Sequence, residues 1–169
     1  MSVTWDQWID REGEPEAMTC CDGTSDAGDW DQVAVDLRQF WLKVWDRFSQ
    51  PSVAQEKWSV ILCMFSPDGG SIHAQPANLP FERKIGMENV MLCSRFIEEL
   101  WHGLPDPDAA AFDAAHEKLE QLFFTALQSA LDSPEVARRI PRSFQDQSVR
   151  IVRVTFDDME TAVEMKFPR

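Results

Sequence analysis

One run of eight residues constrains this chain more than any other. WSVILCMF, from Trp58 to Phe65, is almost continuously apolar and rich in strand formers. Pro67-Asp68-Gly69-Gly70 follows as a turn signal, and Ser71 to Gln75 returns antiparallel. Side chains alternate along a strand. Val60, Leu62 and Met64 therefore share one face, and Ile61, Cys63 and Phe65 the other. Both rows are apolar, so the strand is expected to be central in its sheet or covered on both sides.

The rest of the chain supplies partners for such a strand. Val33, Leu37, Phe40, Trp41, Val44 and Phe48 recur at steps of three and four, which predicts a helix over 31–48 with Asp29 or Asp31 as N-cap. Residues 76–86 read as a connection. From Met87, the spacing of Val90, Cys93, Ile97, Leu100, Trp101 and Leu104 predicts a helix that Gly103 and Pro105 close. Asp106-Pro107 opens another helix. Its stripe is Phe112, Ala115, Leu119, Leu122, Phe123, Ala126 and Ala130, with Phe124 toward the polar side. Ser133-Pro134-Glu135 restarts a short one. SVRIVRVTF and METAVEMKF then form a second hairpin, with Thr161, Val163, Met165 and Phe167 facing inward. The expected fold class is α+β: a single domain with an antiparallel sheet of about four strands (two hairpins) packed against three or four helices.

Charge divides the chain unevenly. The formal net charge is −13, and residues 1–36 carry ten acids against one base, while 37–169 carry nineteen against fifteen. Residues 1–30 are therefore read as an acidic, Trp-containing segment packed on or flanking the domain, and 31–169 as the globular domain. So negative a chain lacks the cationic surface that nucleic acid requires. It has no apolar run of membrane-spanning length, so no membrane partner is expected. The N-terminus is acidic and not signal-like, and Cys20, Cys21, Cys63 and Cys93 fit no disulfide framework. These features point to a cytoplasmic protein with reduced thiols.

Motifs of catalysis do not emerge. Cys20 and Cys21 are adjacent, which suits a shared metal ion poorly, and Cys63 and Cys93 lie on apolar faces. Glu99-x-x-His102 and Asp113-x-x-His116 mimic half of a di-metal bundle, yet Glu99 and His102 fall on the polar side of their predicted helix. His116 reads as half-buried and structural. Gly69-Gly70 is a turn and not a phosphate loop. No catalytic residue, metal site or cofactor is assigned. Arg138, Arg139, Arg142, Arg150 and Arg153 face only Asp146 over sixteen residues. The stretch reads either as an anion site or, preferably, as a counter-surface for the acidic segment.

Seven tryptophans and no tyrosine is unusual usage. Trp41 and Trp101 fit apolar faces. Trp5, Trp8 and Trp30 stand among acids, and Trp45 lies on the flank of its helix. Large aromatics on an acidic surface are the residues that anchor docking partners. The expected partner-binding set is Trp5, Asp6, Trp8, Asp10, Glu12, Glu14, Glu16, Trp30 and Trp45. In size, acidity and lack of catalytic motifs, the chain resembles the class of bacterial immunity proteins that neutralise a cognate toxin; no family motif carries residues over. The expected function is thus stoichiometric binding of a basic protein. The alternatives are a secretion chaperone or adaptor for an effector, and a metal-dependent enzyme.

Overall fold

The computed structural model describes residues 17–20, 30–66, 69–77, 85–92, 109–146, 149–155 and 163–168. In chain order they form β1 (Ala17–Cys20), α1 (Trp30–Phe48), α2 (Pro51–Ala54), β2 (Trp58–Ser66), β3 (Gly69–Pro76) and β4 (Ile85–Leu92). Then come α3 (Ala109–Leu131), α4 (Pro134–Ala137), α5 (Arg142–Asp146), β5 (Arg150–Thr155) and β6 (Val163–Met165). The described strands make one six-stranded sheet of order β1-β4-β3-β2-β5-β6.

The chain is an α+β domain, and β2 is central in it, paired with β3 on one edge and β5 on the other. Its two faces are both buried. Ile61, Cys63 and Phe65 join the main core with α1 and α3, whereas Leu62 and Met64 form a second cluster with Val152 and Val154 of β5. Both predicted hairpins are present, as β2–β3 and β5–β6. The sheet is nevertheless mixed, larger than the four antiparallel strands expected. The connection from β4 through α3 returns the chain in its original direction, so β5 enters parallel to β2. Such a return needs a long crossover, which the 23-residue α3 supplies. β1 also pairs in parallel, with β4, so part of the acidic N-terminal segment is itself a sheet strand.

The helix expected from Met87 is instead β4, as far as Leu92; its remainder, with Cys93 and Trp101, lies outside the described residues. The reason is a register irregularity opposite Ile72 and His73, whose partners are Glu88 and Gly86. Met87 is the extra residue there. A bulge of this kind breaks strand alternation. Met87 and Val90 are consequently both buried three positions apart, which mimics a helical step.

α1 and α3 pack side by side on one face of the sheet. The Trp41 indole N–H donates to the Leu127 carbonyl at 3.0 Å and ties the two helices together. Behind it runs an aromatic chain. Trp41 stacks on Trp45 at 5.1 Å, Trp45 meets Phe144 of α5 edge-on at 5.8 Å, and Phe48 meets Trp58 of β2 at 5.3 Å. Each such pair adds about 0.5–1.5 kcal/mol beyond the area it buries. Phe124, expected toward the polar side of α3, is buried as well, because β5 and its Arg153 extend beneath that flank of the helix.

Gly70 fixes how closely α3 approaches. A Cβ built there would stand 2.4 Å from Cζ of Phe123, a ring only 1% exposed. Gly70→Ala should therefore destabilise the fold by about 1–3 kcal/mol through overpacking. Urea denaturation of the variant against the parent checks this, and an unchanged midpoint would show that the Phe123 ring yields.

Candidate functional site

The expected partner-binding residues separate into three groups. Trp5, Asp6, Trp8, Asp10, Glu12, Glu14 and Glu16 lie outside the described residues. Trp30 opens α1, half-buried against the main core. Trp45 is 0% exposed, so it offers nothing to a partner. Its burial depends on Phe144, almost a hundred residues away in sequence, which turns the flank of α1 into interior. Its indole N–H is buried without a hydrogen-bond partner, in contrast to that of Trp41.

Residues considered for chemistry take structural places. Cys63 is buried, and desolvation pushes its thiol far up, which leaves it protonated and inert. His116 is half-buried, its ring 5.6 Å from that of Phe65, and Asp113 is exposed. Glu99 and His102 fall outside the described residues. Among the described residues no three His, Cys, Asp or Glu side chains gather where they could hold a metal ion.

The arginine-rich stretch does not form one patch. Arg139 pairs with Asp46 of α1, each side chain 56% exposed, so the bond adds little stability. Arg138 and Arg139 line a depression beside α1, with Lys43 and Asp46. Arg142 and Arg150 are exposed. Arg153 points the other way, and its Cζ lies 5.4 Å from the centroid of Phe124.

Arg153 stands at the junction of two hollows along α3. The larger, about 740 Å³, is lined by Arg38, Gln128, Ser129, Asp132 and Met165 among others. The smaller, about 360 Å³, is lined by Glu117, Glu120 and Gln121, and shares Phe124, Arg153 and Val163 with the first. Burial raises the Glu120 carboxyl above the ordinary glutamate value, while His116 and Arg153 oppose the shift.

A second perturbed carboxyl sits on the same helix-bearing face, toward the β1–β4 edge of the sheet. Glu88 of β4 is only 8% exposed, in a small hollow with Lys43, Asp46, Arg47 and Gln50 of α1 and its end. Desolvation raises it. The Lys43 ammonium, the backbone N–H of Asn89 and Arg47 pull it back without cancelling the rise.

The largest asymmetry concerns charge and topology together. The described residues carry twelve acids and eleven bases, a frame of net −1, so the other seventeen acids and five bases hold the remaining −12. β1, β2, β4 and β5 all run in one direction, so Cys20, Ser66, Leu92 and Thr155 lie at the same end of the sheet. The stretches that leave those four ends are 21–29, 67–68, 93–108 and 156–162. Together they contain eleven acids and one base. Sequence order scatters these acids over more than a hundred residues, and no local pattern links them.

No family model, curated protein or solved structure matches this chain. Its candidate site therefore rests on its own geometry. Among the described residues no helix is long and apolar enough to cross a membrane.

Two outcomes follow. Trp45→Ala should cost about 3–5 kcal/mol of stability, the range for removing a buried large aromatic; a urea midpoint within error of the parent would show that the ring is dispensable. For Glu88, a carboxyl raised in the folded state adds stability only while protonated, and loses that contribution as pH rises through its folded value. Glu88→Gln should thus be more stable than the parent near pH 7. The gap should close as pH falls toward the ordinary glutamate value of about 4.3. Parallel denaturation series between pH 4 and 8 measure it, and a variant weaker than the parent at pH 7 would reverse the sign.

Proposed function

We propose that this chain is a non-catalytic binding protein that neutralises a basic protein partner by forming a stoichiometric complex, in the manner of bacterial immunity proteins in the cytoplasm. The observation that carries the reading is the partition of charge. A nearly neutral frame bears acids concentrated in the stretches that leave one end of its sheet, and in the N-terminal segment. A field of one sign raises the encounter rate with a partner of the other sign, and like-charged partners are rejected. Toxins that act on nucleic acid carry basic clefts, and an acidic surface complements such a cleft.

Affinity needs apolar anchors besides charge. In this reading Trp5 and Trp8 supply them, with Asp6, Asp10, Glu12, Glu14 and Glu16 around them. Trp30 stands where the segment enters α1. Trp45 has no part in it.

The test is capture of partners from the native cell by tagged full-length protein at low salt and again at high salt, followed by kinetics with the purified partner. The expected result is one basic protein, bound one to one, with an association rate that falls about tenfold or more between 10 and 150 mM salt. Replacing both Trp5 and Trp8 by Ala should weaken the complex by about 2 kcal/mol or more while thermal stability holds. A partner without excess positive charge, or a rate indifferent to salt, would overturn the reading.

A further inference from the structure

Two guanidinium groups line the larger hollow of α3, and among the described residues neither has a hydrogen-bonding partner. Arg153 projects from β5 on the helix-bearing side of the sheet and lies over the Phe124 ring. An arginine held against a ring keeps its in-plane N–H groups clear of it, and these form the fork that takes both oxygens of an oxyanion. No hydrogen bond or ion pair to a described residue occupies them. Arg38 reaches the same hollow from α1, and its Nε is buried without a hydrogen-bond partner. The positive charge of Arg38 adds to that of Arg153 at the hollow.

The remaining groups narrow the ligand. Glu164 pairs with Val152, whose side chain belongs to the cluster on the opposite face, so strand alternation turns its carboxylate away from the helices. Asp132 does face the hollow, and it accepts a hydrogen bond from Gln128 at 3.0 Å. Arg38 and Arg153 against Asp132 give the larger hollow a positive excess, which Glu120 on the far side of Arg153 tempers, so a monoanion suits it better than a phosphate dianion. Phe124, Val163 and Met165 provide apolar wall beside the charge, and a volume of about 740 Å³ falls within the usual range for small-molecule sites. On the far side of Arg153, Glu117 and Glu120 make the smaller hollow acidic, which confines an anion to the larger one.

We infer that the hollow between α3 and the β5–β6 hairpin binds a small monocarboxylate with an apolar body, its carboxylate on the Arg153 fork. This goes beyond the protein partner proposed above and is independent of it, because it is tested with a small probe alone.

The experiment is a titration of the ¹⁵N-labelled full-length protein with 3-phenylpropionate, followed by NMR. The expected result is saturable movement of the Gln128, Ser129 and Val163 amide signals. The neutral 3-phenylpropionamide and inorganic phosphate should each bind at least about tenfold more weakly. Arg153→Gln and Arg38→Gln should each weaken the carboxylate about tenfold or more, the loss typical of a charge-assisted hydrogen bond. Arg153→Lys, which keeps the charge without the fork, should fall between. Should Arg153→Gln fail to fold, Arg38→Gln and Arg153→Lys still decide. No saturable shift, equal affinity for the amide, or indifference to the arginine variants that fold would overturn the site. Phosphate binding as tightly as the carboxylate would overturn the ligand class.

Discussion

A strand that is apolar on both faces is stable only where both faces are dry and both edges are paired. β2 imposes that condition on everything around it. Each large side chain fully buried there contributes about 1.5–3 kcal/mol relative to exposure. Those gains are realised only if α1 and α3 cover Ile61, Cys63 and Phe65 while β5 completes the cluster around Leu62 and Met64. The hairpin to β3 satisfies one edge from local sequence. The other edge waits for β5, more than eighty residues later, and the parallel entry of that strand is what makes the sheet mixed. Gly70 then permits α3 to descend until Phe123 rests on the strand surface.

Much of this frame is legible in the sequence because local periodicity decides it. α1 reads correctly from Val33 to Phe48, since its buried arc repeats cleanly at helical steps. β2, β3, β5 and β6 read as strands from their composition and turns. β4 does not, because the bulge at Met87 replaces a two-residue period by a three-residue one. β1 escapes notice for a different reason. Four residues, Ala17–Cys20, become a strand only through parallel pairing with a partner some seventy residues away. Phe124 and Trp45 mark the limit of the helical wheel. It ranks residues by one helix alone, whereas β5 and α5 each add an interior wall on a flank that the wheel leaves to solvent.

The candidate sites were less legible for related reasons. The five arginines between Arg138 and Arg153 look like one basic cluster along the chain. The strand and short helices that carry them send Arg139 to Asp46, Arg142 and Arg150 to solvent and Arg153 under α3. The arginine that does share a hollow with Arg153 is Arg38, from the far end of the sequence. Composition identifies excess charge, but only topology shows that the stretches carrying much of it leave the strands at one end of the sheet, and the direction of four strands is invisible to any local pattern.

That common direction has a consequence for how such a protein can change. The stretches leaving Cys20, Ser66, Leu92 and Thr155 originate together, whereas the strand pairing and the core of the described residues are built from the elements between them. Under the proposed function, substitutions in those stretches would alter recognition without touching the strand pairs that hold the sheet. A binding protein organised in that way would inherit stability and specificity on separate parts of the chain, free to follow a drifting target without relearning how to fold.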